Sequence, residues 1–293
     1  VIGFYKKKSH DIIPTNQCII QHDVNDKIIK IIKTYIRAYK VSIYDEKTHT
    51  GVLRHLVTKV GFTTKEVMVV LVANGRKLPY LNELASVLKE NIPGFKTLVV
   101  NVNREKTNVI LGNENRVIYG DGKINDNIGD LVFEISPLSF FQVNPVQTEV
   151  LYNKALEYAN LGENDTVFDI YCGIGTISLF LAQKAKKVYG IEIVEEAIKD
   201  AKINANINNL DNVEFYVGKA EEVVPKMYKQ GKRANVVVVD PPRKGCDEKV
   251  LDTIISMQPD RVVYVSCNPS TLARDLNYLD ERGYKCLEVQ PVD

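Results

Sequence analysis

Two short stretches carry the residue types best suited to chemistry. Val265-Ser266-Cys267-Asn268-Pro269 closes one apolar run on a cysteine, and Val239-Asp240-Pro241-Pro242-Arg243 closes another on an aspartate. The thiolate is the nucleophilic form of cysteine, so a reactive cysteine needs an exposed site beside positive charge or a helix N-terminus. Pro269-Ser270-Thr271 opens a helical stretch directly after Cys267 and meets that demand. Taken alone, a cysteine closing an apolar strand reads as buried packing. The prolines stiffen the Asp240 turn, where a carboxylate can accept a nucleobase N–H or hold a ligand. A third stretch, Asp169-Ile170-Tyr171-Cys172-Gly173-Ile174-Gly175, runs from a strand into Gly-x-Gly, and such glycines let the backbone turn tightly and approach a ligand. Glu192 ends the next apolar run, 17 residues after Gly175, where its carboxylate can take both hydroxyls of a ribose.

These residues need a scaffold that brings strand ends together. From about residue 130 the pattern alternates strictly: TVFDIY, TISLFLAQKA, KVYGIEI, EEAIKDAKINAN, VEFYVG, EEVVPKMY, NVVVVD, DEKVLDTIISM, RVVYVSC, STLARDLNYLDERG and YKCLEV. Short, continuous apolar strands between helices predict an α/β fold, a doubly wound parallel sheet with both faces covered. Ligands of such sheets bind beyond the carboxyl ends of the strands, the edge to which the glycine loop, Glu192, Asp240 and Cys267 all belong. A dinucleotide site would want a third glycine at position 178, where this chain has Ser. S-adenosylmethionine has no phosphate to seat and does not need that glycine. Asn144-Pro145 predicts a helix start, with asparagine as cap and proline at the first position.

The first 130 residues have a different texture. Asp26–Ala38 predicts a helix capped by Asp26, and Leu53–Val60 with Glu66–Ala73 a hairpin. Leu81–Glu90 predicts a helix, Thr97–Asn103 and Asn108–Leu111 short strands, and Asn125–Asp130 a polar turn. This is a smaller α+β central domain over 1–130, preceding a methyltransferase-like sheet over 131–293. The net charge of +1 hides an asymmetry: residues 1–130 carry 20 Lys+Arg against 13 Asp+Glu, and the rest carry 18 against 24. A basic half beside an acidic half suits one part that grips phosphates and another that does chemistry. No apolar run approaches the ~20 residues that span a bilayer, so no membrane partner is expected. Five scattered cysteines predict no disulfide framework and a cytoplasmic home. Cys172 is expected to pack under the glycine loop, Cys246 to sit in a polar loop and Cys286 to face the core from a sixth strand over Tyr284–Val289. His10, His22, His49 and His55 show no ligand spacing and receive no role. A start at Val1 without methionine, and an end close to that sixth strand, suggest a piece of a longer protein.

DIYCGIGTISLFLA, VVVVDPPRKG, VSCNPSTLARDL and SPLSFFQVNPVQTEVLY together resemble the motifs of the RNA uracil-5-methyltransferase family. VIGFYKKKSHDIIPTNQC resembles the segment before the central domain of its bacterial 23S rRNA members, so the resemblance covers essentially the whole chain. It implies a Rossmann-like S-adenosylmethionine-dependent methyltransferase that adds a methyl group to carbon 5 of a uridine, with Cys267 as nucleophile. Gln142, Tyr171, Glu192 and Asp240 would bind the donor, Gly173 and Gly175 would shape the loop, and Phe140 would lie near the flipped base. Of Phe140 and Phe141, one is expected in the core; Arg243 either pairs with a phosphate or braces the Asp-Pro-Pro turn.

The resemblance also implies partners outside the chain. The family's proton-abstracting glutamate would lie beyond residue 293, and an RNA-binding β-barrel before Val1. The rRNA members hold a 4Fe–4S cluster through four cysteines; Cys18 matches the fourth, and the other three would precede Val1. The expected substrate is RNA, 23S rRNA favoured over tRNA because of the Cys18 region. A non-catalytic RNA-binding module and a small-molecule methyltransferase are the competing readings.

Overall fold

The structure, a computed structural model, describes residues 2–292 except 8, 10 and 16. His10 therefore lies outside the described residues. The chain divides into two compact units, residues 1–126 with 135–138, and residues 127–134 with 139–293.

In the first unit, strands β1 (Gly3–Tyr5) and β2 (Ile12–Pro14) form a small hairpin. Helix α1 (Val24–Ala38) follows, then β3 (Leu53–Val60), β4 (Val67–Ala73), helix α2 (Leu81–Asn91), β5 (Phe95–Val102) and β6 (Glu114–Tyr119). The sheet order is β3-β4-β5-β6, with β4 and β5 parallel and the outer pairs antiparallel. Every residue of β4 is buried, as a central strand covered on both faces requires. Val24, Ile28, Ile32 and Tyr35 of α1 join the same core as Leu84 and Leu88 of α2. Helix α1 starts two residues before Asp26, so Asp26 sits in the first turn instead of capping it.

Two further expectations for this region fail for identifiable reasons. Asn108–Leu111 is no strand: Asn103 Nδ2 binds the carbonyls of Val109 and Ile110 at 2.7 and 3.0 Å, and Asn101 holds Gly112, so side chains occupy the backbone groups a ladder needs. Asn125–Asp130 is no simple turn. Strand β7 (Ile124–Ile128) pairs with β8 (Leu131–Ile135), and the division between the units falls inside these two strands. Asp126 can be buried in β7 because its carboxylate accepts the N–H groups of Phe62 and Thr63 at 2.7 and 2.8 Å.

The second unit contains helix α3 (Pro145–Ala159), β9 (Thr166–Ile170), α4 (Thr176–Ala182), β10 (Lys187–Glu192) and α5 (Glu195–Ile207). It continues with β11 (Val213–Val217), α6 (Ala220–Lys229), β12 (Val236–Val239), α7 (Glu248–Met257), β13 (Arg261–Tyr264) and α8 (Pro269–Asp280). All five strands are parallel in the order β11-β10-β9-β12-β13, so strand order reverses between β9 and β12. Asn144 caps α3, its side chain accepting from Gln147 N–H, with Pro145 at the first position. No sixth strand forms over Tyr284–Val289. That segment has no ladder partner among the described residues, and Cys286 is exposed instead of facing the core. No described helix is long and apolar enough to cross a membrane.

Candidate active site

The reversal of strand order places the loops after β9, β12 and β13 side by side at one edge of the sheet. Neighbouring strands lie about 4.8 Å apart, so the glycine loop, the Asp240 turn and the Cys267 turn are successive steps along that edge.

The loop after β9 is strained where it turns. Tyr171 adopts φ +72°, costly for an aromatic residue, while Gly173 and Gly175 take φ +56° and +82°. A side chain at Gly173 would meet nothing within 4 Å, whereas one at Gly175 would press on Phe215 at 3.0 Å. Gly173 thus faces open space and Gly175 permits close packing. Cys172 is buried beneath the loop, and burial pushes its thiol well above the usual range. Glu192 closes the neighbouring strand, its two oxygens accepting Gly173 N–H at 3.2 Å and Val194 N–H at 2.9 Å.

Asp169 is the residue that motif reading passed over. It is fully buried at the end of β9; Oδ2 accepts the Ser178 hydroxyl at 2.5 Å, and Oδ1 has no protein partner. Burial, with the charges of Asp240 and Glu192 adding to it, pushes its carboxyl up to about 7. Position 178 was read as a missing glycine; its Ser is the partner this acid needs. Asp240 is also pushed up, to about 6, by burial.

Gln142 lies in hydrogen-bond reach of the Tyr152 hydroxyl, which contacts Thr176 Oγ1 at 3.0 Å at the start of α4. Phe141 tilts onto the buried Phe133 with centroids 6.1 Å apart, while Phe140 is 72% exposed. One of the two aromatic rings is thus packing and the other is offered to solvent.

Cys267 is exposed. Asn268 beside it caps α8, accepting Ser270 N–H at 3.1 Å, and its Nδ2 donates to the Arg243 carbonyl at 3.0 Å. Thr271 Oγ1 reaches the same carbonyl at 3.3 Å. Arg243 thus braces the turn through its carbonyl and leaves its side chain exposed. Asp275 on α8 is 1% exposed and accepts Cys246 N–H at 2.8 Å, Tyr264 OH at 2.6 Å and Arg274 Nε at 2.7 Å. Cys246 is buried, not set in a polar loop. Burial pushes its thiol up to about 12, and its sulfur lies in hydrogen-bond reach of Tyr171 and Tyr264. A chain of side chains from Tyr171 through Cys246 and Tyr264 to Asp275 therefore ties all three loops together.

Cys18 stands in the first unit, half-buried. Among the described residues no three His, Cys, Asp or Glu side chains gather as a metal site. A cluster needs four thiolates, and Cys18 alone does not hold one.

A family model described as tRNA (uracil-5-)-methyltransferase matches residues 20–286. The chain belongs to this family. Uncharacterized RNA methyltransferases of Clostridium tetani and Halalkalibacterium halodurans are each 56% identical to it over the whole chain. The chain spans 64% of the length of each of these relatives. Among solved structures, the Pyrococcus abyssi tRNA (uracil-54, C5)-methyltransferase in complex with S-adenosyl-L-homocysteine is similar at 33% identity and a TM-score of 0.79. That match covers 94% of this chain and 66% of the other. The likeness supports a Rossmann-like S-adenosylmethionine-dependent methyltransferase fold for the parallel sheet described above.

Proposed function

We propose that the chain carries the donor site and nucleophile of an S-adenosylmethionine-dependent RNA uridine C5-methyltransferase. The observation that carries this reading is Cys267, exposed at a capped helix N-terminus on the sheet edge that also holds the glycine loop. Exposure and a place beside a helix end are what a nucleophilic cysteine needs.

The residues at the edge fit a sulfonium donor better than a phosphate-bearing one. Asp169, Glu192 and Asp240 make the site acidic, which attracts a cation and repels a pyrophosphate. Open space at Gly173 leaves room for a ligand against the loop, and Glu192 is already aligned by two backbone N–H groups. When bound, S-adenosylmethionine supplies an electrophilic methyl group. Gln142, Tyr171, Gly173, Gly175, Glu192 and Asp240 are the residues assigned to holding it.

The chain's own chemistry falls to Cys267. Carbon 5 of uracil is a poor nucleophile. Addition of the Cys267 thiolate to carbon 6 forms a C–S bond and moves the ring's π pair to carbon 5, stabilised as an enolate through O4. Carbon 5 can then accept a methyl group. Loss of the carbon 5 proton to a base and rupture of the C–S bond restore the ring, so covalent catalysis divides one hard step into easier ones. Phe140, exposed on the same unit, is assigned to stacking on the base taken out of its helix, and Arg243 to a phosphate.

The likeness of the Cys18 segment to the bacterial rRNA members favours 23S rRNA as substrate. The likeness to the archaeal tRNA enzyme favours tRNA as the second reading. RNA carrying 5-fluorouridine, mixed with S-adenosylmethionine, should yield a covalent complex stable in denaturing gels, because fluorine at carbon 5 cannot leave as a proton. Cys267→Ala should abolish the complex. Equal trapping by Cys267→Ala would remove the nucleophile assignment; no trapping by the unaltered chain would favour a binding module. Comparing 23S rRNA and tRNA transcripts in the same assay separates the two substrates.

A further inference from the structure

Helix α5 and its cap carry a polar stripe of Asp200, Asn204 and Asn208, four residues apart and so on one face. Asn208 Oδ1 accepts Val132 N–H at 2.9 Å, and Nδ2 donates to the Val132 carbonyl at 2.7 Å. Two residues along β8, Asn204 Oδ1 accepts Glu134 N–H at 2.7 Å, and Nδ2 faces the Glu134 carbonyl at 3.4 Å. Alternate residues of a strand present their backbone groups to the same edge. The two amide side chains therefore stand in for a neighbouring strand along β8.

Asn204 reaches further than Asn208. Its Nδ2 also lies 3.3 Å from the carbonyl of Ile174, the residue between Gly173 and Gly175. Asn204 is fully buried, so water cannot replace either partner. Asp200 holds a third point, accepting the Ser139 hydroxyl at 2.6 Å just before Phe140. The stretch that follows needs such an anchor: Phe140 is 72% and Val143 95% exposed, while Phe141 packs on Phe133 and Gln142 turns toward Tyr152.

We propose that Asn204 and Asp200 are positioning residues for the reaction. Asn204 sets the glycine loop against β8, and Asp200, through Ser139, sets the segment that presents Phe140 and Gln142. The proposal rests on reading the glycine loop as the donor site and Phe140 as the base platform.

Calorimetric titration with S-adenosylhomocysteine tests the first half. Asn204→Ala should weaken binding about tenfold, the scale of one lost buried hydrogen bond. Asn208→Ala breaks the adjoining strand substitution without touching the loop. It should lower the unfolding midpoint comparably and leave the affinity within about twofold. Equal weakening by the two variants, or none by Asn204→Ala, overturns the proposal. Absence of binding by the unaltered chain overturns the donor-site reading and this inference with it.

Ser139→Ala tests the second half and decides the matter if Asn204→Ala does not fold. Half-maximal trapping of 5-fluorouridine RNA should require several-fold more RNA, with Ser139→Thr restoring the parent behaviour. An unchanged RNA dependence for Ser139→Ala overturns it.

Discussion

Asp169 is held by Ser178, whose hydroxyl donates to Oδ2 at 2.5 Å, and among the described residues its Oδ1 has no hydrogen-bond partner. Its carboxyl, at 3.8 when unfolded, is pushed up to about 7 in the fold. The folded chain therefore holds a proton that the unfolded chain releases above the lower value. Its contribution to stability is complete below 3.8 and is lost as pH rises through about 7. Asp240, raised to about 6, acts in the same direction. The unaltered chain should be less stable near neutral pH than in mild acid on account of these groups. Asp169→Asn keeps an acceptor for Ser178 and removes the titration, so the fall in urea midpoint across this window should flatten in the variant. A parent and variant with parallel pH profiles would show that Asp169 does not titrate there. At this scale the sequence was legible where a motif is local. Cys267 beside its capped helix, the glycines and Glu192 could be read from order and spacing. Asp169, Asn204 and Asp275 could not, because no local motif marks their partners, which come together only when the chain folds.

At the scale of elements, α8 shows why the nucleophile proposed above needs more than its own turn. Asp275 receives donors from the loop after β12, from the end of β13 and from its own helix. Asp275→Ala would leave Cys246 N–H buried without an acceptor, at about 1–3 kcal/mol, and would remove the partner of the half-buried Tyr264 OH. Urea unfolding should show that loss, and the rate of 5-fluorouridine trapping should fall further than stability alone explains, since the Cys267 and Arg243 turns lose their common brace. Asp275→Asn, which retains an acceptor, should recover most of the stability. A variant with full stability loss but parental trapping among the folded molecules would reduce Asp275 to a core residue. The Asn144-Pro145 cap placed α3, and short continuous apolar runs alternating with helical stretches placed α5, α7 and the five parallel strands; reading from local pattern had its limits. It failed at β7, where Asn125-Asp126-Asn127 looked like a turn until the N–H groups of Phe62 and Thr63 supplied Asp126 with partners. It failed again at Tyr284–Val289, which has no ladder partner among the described residues.

At the scale of the whole chain, the charge difference between the first 130 residues and the remainder acquires a location in α1. One side of the helix buries Val24, Ile28, Ile32 and Tyr35. Lys27, Lys30, Lys33 and Arg37 recur at spacings of three and four, which places them along the other side. Lys27, Lys30 and Arg37 are exposed, whereas Lys33 Nζ reaches the Thr15 carbonyl at 3.4 Å. If this stripe meets RNA phosphates, binding must release counterions, and the logarithm of affinity must fall linearly with the logarithm of salt concentration. Each phosphate contact contributes about 0.7–0.9 to that slope. Replacing Lys27, Lys30 and Arg37 with Gln should reduce the slope by about 2, measured by fluorescence anisotropy on a labelled RNA stem-loop across a salt series. Donor affinity should not change, because none of the three is among the residues assigned to holding the donor. A parental slope in the triple variant would move the RNA contact off α1. A chain with no salt dependence at all would favour a small-molecule methyltransferase, since an RNA substrate cannot be held without its phosphates.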